Sequence, residues 1–156
     1  MPTNGLLHNI YKSRMILAVG MLAFLPAACA RADSYQNLSP ATAIANFTAL
    51  PNTGKPVAMY FSSDSHPAVL HDFGTFTTNR RANAVFHSND AACSRAIESG
   101  LISLRSRAQS LGANGVINIQ SDLAGVTATD TSMQTCRVGL VAVQIQLKGD
   151  VVQLAP

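Results

Sequence analysis

The sequence has no tryptophan, few aromatic residues (6%) and few charges (12% Asp, Glu, Lys and Arg). It has no run of roughly 18 consecutive apolar residues, the length a membrane-spanning helix needs. It has no block of like charge, which excludes a polybasic or acidic tail, and no internal repeat, which excludes a solenoid. What is present is a 156-residue chain that is 47% hydrophobic. That fraction argues against wholesale disorder. The length suits one domain that can bury a core without a metal or a ladder of disulfides.

The N-terminus carries the plainest signal. Lys12 and Arg14 precede the apolar run Met15 to Ala27, and small residues follow. A charged region, a short apolar region and an A-x-A exit are the parts of a secretory signal peptide. Two cleavage frames are open, after Ala30 and after Ala32; the second, preferred, leaves Asp33 first. The apolar run is too short to span a bilayer comfortably. The chain has 11 basic and 8 acidic residues and a formal charge of +3. Removing residues 1–32 takes away Lys12, Arg14 and Arg31 and no acid, so the remainder is balanced. A neutral remainder has no general attraction to nucleic acid or anionic lipid. Arg80-Arg81 and Arg105/Arg107 read as solvated charges rather than a patch.

Cysteine usage fits export. Cys29 lies in the leader, and Cys93 and Cys136 remain as an even pair in an oxidising compartment, where a bridge is expected. Closing the loop between them stabilises the fold by about 4 kcal/mol in the chain-entropy model. Two separate buried thiols are the alternative. Cys29 also raises lipidation, but Pro26 stands where a lipobox has Leu, and Leu25 is one place too early.

Residues 33–56 read as a partly ordered lead-in, ending in the turn chemistry of P-N-T-G-K-P. Residues 57–156 read as a single α+β domain. Val57 to Phe61 is predicted as a strand, and two further strands, Ala68–Thr78 and Asn83–His87, are expected to meet around Asn79-Arg80-Arg81. The clearest element is a helix from Asp90 to Leu111. Ser88, Asn89 and Asp90 offer capping oxygens. Cys93, Ile97, Gly100, Leu104, Ala108 and Leu111 recur at intervals of three and four, forming one apolar stripe. Gly112 suits the left-handed position past its end, and Gly100 inside the stripe implies close approach to a sheet. Gly115 to Gln120 follows as a strand. Gln134 to Lys148 reads as one long strand whose alternation changes phase at Gly139, which a β-bulge would reconcile. The expected core is strand–helix–strand–strand, a small antiparallel or mixed sheet against one main helix, with the disulfide tying the helix start to the last strand.

The segment Ala92 to Ser121, A-C-S-R-A-I-E-S-G-L-I-S-L-R-S-R-A-Q-S-L-G-A-N-G-V-I-N-I-Q-S, resembles a group of small exported bacterial proteins. Their shared marks are a cysteine opening a helix (Cys93), a G-A-N-A-V-V-N-I-like strand entry (Gly112 to Ile119), a second cysteine (Cys136) and L-K-G (Leu147 to Gly149). Such proteins often carry the label "excinuclease ATPase subunit". The helix-to-strand segment is also similar to the YbjQ, or heavy-metal-binding, family, and more distantly to the envelope stress sensor lipoprotein RcsF. The resemblance implies a small exported α+β domain with a disulfide. The ATPase label fails on chemistry. A phosphate-cradling loop needs G-x-x-x-x-G-K-[ST], and around Gly54-Lys55 the first Gly is replaced by Ala49 and the hydroxyl residue by Pro56.

Asp64, His66, His71 and Asp72 are the nearest approach to a metal site. Imidazole and carboxylate suit zinc, copper or nickel, although H-x4-H matches no strong zinc signature. His87 reads as a local capping or surface residue. No G-x-S-x-G elbow is present, bridged cysteines are poor nucleophiles, and carboxylates are scattered. The leading expectation is a non-enzymatic periplasmic or secreted module, without cofactor, that contacts an envelope protein and neither binds nucleic acid nor spans a membrane after cleavage. The alternatives are a transition-metal binder using those four residues and a hydrolase with an unrecognised site.

Overall fold

The last strand organises the sheet, because its side chains alternate between buried and partly exposed from Ala142 to Val151. In the computed structural model, which describes residues 34–39, 41–49, 54–123 and 134–156, the element order is β1 (Ser34–Leu38), α1 (Ala41–Ala49), β2 (Ala58–Phe61), β3 (Val69–Asn83), α2 (Asn89–Leu111), β4 (Gly115–Ser121), β5 (Gln134–Val138) and β6 (Ala142–Leu154). The leader, its cleavage sites and Cys29 lie outside the described residues. No helix among the described residues is long and apolar enough to cross a membrane.

Val143, Ile145, Leu147 and Val151 of β6 are buried on one face, the two-residue period of a strand with one covered side. β3 runs antiparallel along the whole of β6, from Val69 opposite Leu154 to Asn83 opposite Ala142. The other edge of β6 is shared: β4 pairs with its C-terminal half and β5 with its N-terminal half. β1 extends the sheet antiparallel to β5, and β2 extends it parallel to β4. The result is a mixed six-stranded sheet with two helices, an α+β fold as the residue pattern implied. Ser121 joins the β4 and β5 segments, since its hydroxyl accepts from the Thr135 amide at 2.7 Å. β4 carries one residue more than either neighbour at Asn118, where φ is 55°. Asn tolerates that region better than most residues, and its amide donates to Asp150 at 2.8 Å.

α2 covers the inner face, and its ends are those expected. The Ser88 hydroxyl accepts from Ala91 N at 3.2 Å, satisfying one of the unpaired amides of the first turn. At the other end Gly112 adopts φ 75°. The Ala113 amide bonds the Ala108 carbonyl and the Gly112 amide that of Gln109, a complete Schellman closure. Cys93, Ile97, Gly100, Leu104 and Ala108 are all buried. A Cβ on Gly100 would lie 2.8 Å from Leu147 Cδ1 and 3.0 Å from Ile145 Cδ1. Glycine is therefore what lets the helix lie this close to β6.

Three expectations for later segments are corrected, and the lead-in expected to be partly ordered carries two elements: β1 pairs with β5, and α1 buries Ala43 and Phe47, two apolar residues one helical turn apart. The Arg105 guanidinium lies 4.6 Å from the Phe47 ring centroid, tying α1 to α2. Arg80-Arg81 is not a joint between two strands but part of one 15-residue strand, and Arg80 reaches across to Ser103 Oγ of α2 at 2.7 Å. The phase change at Gly139 is a chain reversal rather than a bulge: the Gly139 amide bonds the Ala142 carbonyl at 3.0 Å, Val138 faces Val143, and β6 continues to Leu154. The disulfide consequently ties the start of α2 to β5 and not to the last strand. Its sulfurs are 2.06 Å apart across a sequence separation of 43.

Replacing both cysteines (Cys93→Ala with Cys136→Ala) is expected to lower the unfolding free energy by about 4 kcal/mol, the loop-closure contribution at this separation. Reductant should do the same to the native chain, and urea melts read both. Gly100→Ala sets a helix-propensity gain of about 1 kcal/mol against overpacking of about 1–3 kcal/mol. The expected outcome is a lower urea midpoint; a midpoint at or above that of the parent chain would mean that α2 has room to move away from β6.

Candidate functional site

The four residues proposed from sequence as metal ligands are each engaged locally. In the turn after β2, Asp64 Oδ2 accepts from the Phe61 amide at 2.8 Å. His66 Nδ1 donates to the Pro67 carbonyl at 2.8 Å, and its ring meets Tyr60 edge-on. On β3, His71 packs edge-on against Phe73, with centroids 4.6 Å apart. Asp72 Oδ1 accepts from the Gly74 amide at 2.7 Å. Among the described residues no group of three or more His, Cys, Asp or Glu side chains is arranged to hold a metal ion. Cys93 and Cys136 are brought together, fully buried.

The outer face of the sheet, away from α2, is polar and internally paired. Asp150 accepts from Thr75 Oγ1 at 2.5 Å and from Asn118 Nδ2 at 2.8 Å. Lys148 pairs with Asp122 at 3.2 Å, and Gln144 donates to Asn79 at 3.2 Å. Hydrogen bonds that already satisfy one another leave little for a ligand to gain.

One end of the sheet is different. β3 leaves the sheet at Asn83 and turns into α2 through Ala84 to Ser88, beside the reversal between β5 and β6. The Ala84 amide bonds the Val141 carbonyl at 3.0 Å, so the two turns are fixed side by side. Together they present Val85, Phe86, Leu140 and Val141 to solvent. Phe86 is wholly exposed (102%) and sits at φ 63°, a backbone region unfavourable for a bulky L-residue. Such a position costs on the order of 1–3 kcal/mol and persists only where its surroundings enforce it. Here they do. The Val85 amide bonds Asn83 Oδ1 at 2.7 Å and the His87 amide bonds the Ala84 carbonyl at 3.2 Å. Arg95 of α2 donates to the Asn83 carbonyl at 3.1 Å and lies 3.3 Å from His87 Nε2. His87 is thus a local turn and surface residue, as its sequence position implied.

Beside the apolar pair on the β5–β6 turn is a shallow hollow of about 250 Å³ bounded by Arg81, Arg137, Gln144, Leu140 and Val141. Arg81, Gln144 and Arg137 stand in one register row across β3, β6 and β5, and Arg81 donates to Gln144 at 3.4 Å. The end of the sheet therefore combines a fixed apolar tip with guanidinium groups. Sequence reading missed it, because Val-Phe and Leu-Val pairs look like strand interior. The available signal was Gly139 just before Leu140 and the N-x-x-F-H-S turn before the helix.

No protein-family model matches the chain, and no curated protein is significantly similar to it. Among solved structures, a protein of unknown function of the DUF74 family from Pediococcus pentosaceus ATCC 25745 is similar at a TM-score of 0.42 and 10% sequence identity, over 64% of this chain and 98% of that one.

Proposed function

We propose that the protein is a non-enzymatic, exported module that works in the bacterial envelope by docking a protein partner on the tip formed by Val85, Phe86, Leu140 and Val141. The carrying observation is Phe86, held fully exposed in a strained conformation by hydrogen bonds from three neighbouring residues. Contiguous exposed apolar side chains mark interaction sites more often than single ones do, and aromatic residues commonly anchor interfaces. Backbone strain of this kind collects at contact and functional surfaces. The leader-like N-terminus and the bridged cysteine pair support an oxidising destination. Less supports the transition-metal alternative, since Asp64, His66 and Asp72 hydrogen-bond close to their own positions and His71 packs on Phe73.

Phe86→Gly separates function from folding. Glycine adopts positive φ freely, so the variant should keep its unfolding free energy or gain about 1 kcal/mol, while cross-linking to its envelope partner falls about tenfold, the loss expected for an interface anchor. Leu140→Ser should act in the same direction. Undiminished cross-linking in both variants would retire the reading. Mass spectrometry of the native protein is expected to find its first residue at Arg31 or Asp33.

A further inference from the structure

Between α1, the edge strand β2 and α2 lies a cavity of about 360 Å³, walled by Ile44, Phe47, Val57, Met59, Phe61 and Leu101. That is a size found among small-molecule sites, which span about 300–1,000 Å³ and are mostly apolar with a few placed polar groups. Two polar side chains line it, Thr48 and Asp64, and both are acceptors toward a guest. The Thr48 hydroxyl proton is committed to the Ala45 carbonyl at 2.9 Å, leaving its oxygen lone pairs. Asp64 takes the Phe61 amide on one oxygen and, as a carboxylate, offers further acceptor positions. Arg105, which stacks on Phe47, is not part of the lining.

We infer that this cavity binds a small amphiphile with a short aliphatic or single-ring body and a hydrogen-bond-donating head, an ammonium above all, directed at Asp64 and Thr48. The apolar walls select the body by burial. The acceptor rim selects the head, because an ammonium gains a charge-assisted bond, whereas a carboxylate would meet like charge with no cationic side chain among the described lining residues to offset it. This site is separate from the apolar tip and does not depend on its role.

The test uses hexylamine, hexan-1-ol and hexanoate as probes of the purified full chain, followed by amide chemical shifts. Saturable shifts are expected around residues 44–48, 57–64 and 101, with hexylamine binding about tenfold more tightly than hexanol, the scale of one charge-assisted hydrogen bond, and hexanoate weakest. Asp64→Asn keeps an acceptor for the Phe61 amide but removes the charge. It should erase the preference for the amine and lower hexanol binding by less, since the hydroxyl keeps a neutral acceptor. Val57→Phe, which fills the cavity, should abolish binding of all three, with Ile44→Phe as a second filling variant should the first fail to fold. The inference is overturned by absence of saturation up to about 10 mM probe, by shifts mapping elsewhere, by hexanoate matching hexylamine, by an amine preference that survives Asp64→Asn, or by full binding in a folded filled variant.

Discussion

The close contact of α2 with β6 governs the rest of the molecule. Gly100 brings the helix against Ile145 and Leu147 nearer than any side chain would allow, and the apolar stripe from Cys93 to Ala108 is buried as a consequence. Fixing the helix there fixes both its ends. Its start lies against β5, where Cys93 meets Cys136. Its later turns offer Arg105 to Phe47 of α1 and Arg107 to Phe76 of β3, each near 4.5 Å from the ring centroid. Those guanidinium groups, which could have formed a cationic surface patch, instead close the seams around the helix. Arginine suits this use, since its stem packs on apolar surface while the planar head stacks on a ring.

The same contact sets apart the two faces of the sheet. Side chains of β6 that point to α2 are apolar and buried; those between them are Gln144, Gln146, Lys148 and Asp150, which pair across strands with Asn79, Asp122, Thr75 and Asn118. The outer face is thereby solvated and self-satisfied. Its far end is an exception: Val152 and Leu154 join Ile117 and Tyr60 in a small second cluster, and the Asn114 side chain pairs with the Leu154 backbone. Apolar side chains are exposed at both ends of β6, Val69 and Leu70 beside Leu154 and the Phe86–Leu140 group at the other end, where the most exposed of them, Phe86 and Leu140, lie.

Legibility in the sequence followed from how local each constraint is. α2 could be read nearly to the residue because its stripe, its Ser88 cap and its Gly112 closure all lie within it. The cysteine pairing followed from the even count that remains once the leader-like segment with Cys29 is set aside. α1 escaped notice because its fully buried face is only Ala43 and Phe47 among small and polar residues and Ile44, and its partner is a distant helix. Arg80-Arg81 imitated a turn, since nothing local reveals that Arg80 would find Ser103. The phase change at Gly139 is compatible with a bulge or a reversal, and only the pairing of Val138 with Val143 decides between them. Nor does anything local mark Gly115 as required, although a Cβ there would lie 2.5 Å from Leu154 Cδ1. The apolar tip was illegible for the same reason, exposure being a property of the assembled chain.

The tip and the α1 cavity lie on different parts of this frame, and the frame decides whether they can communicate. The tip is held by the N-terminal end of β6 and the start of α2; the cavity is walled by β2, α1 and Leu101. Between them runs the α2–β6 contact, a packed interface with no spare volume at Gly100 and a covalent tie at Cys93. Coupling between sites requires an element with two arrangements whose balance both sites shift. A helix wedged against Ile145 and Leu147 at that spacing, and bonded to β5 at its first turn, has one. Changes at Asp64 and at Phe86 should therefore combine additively, as distant substitutions without shared partners do, and each surface acts on its own.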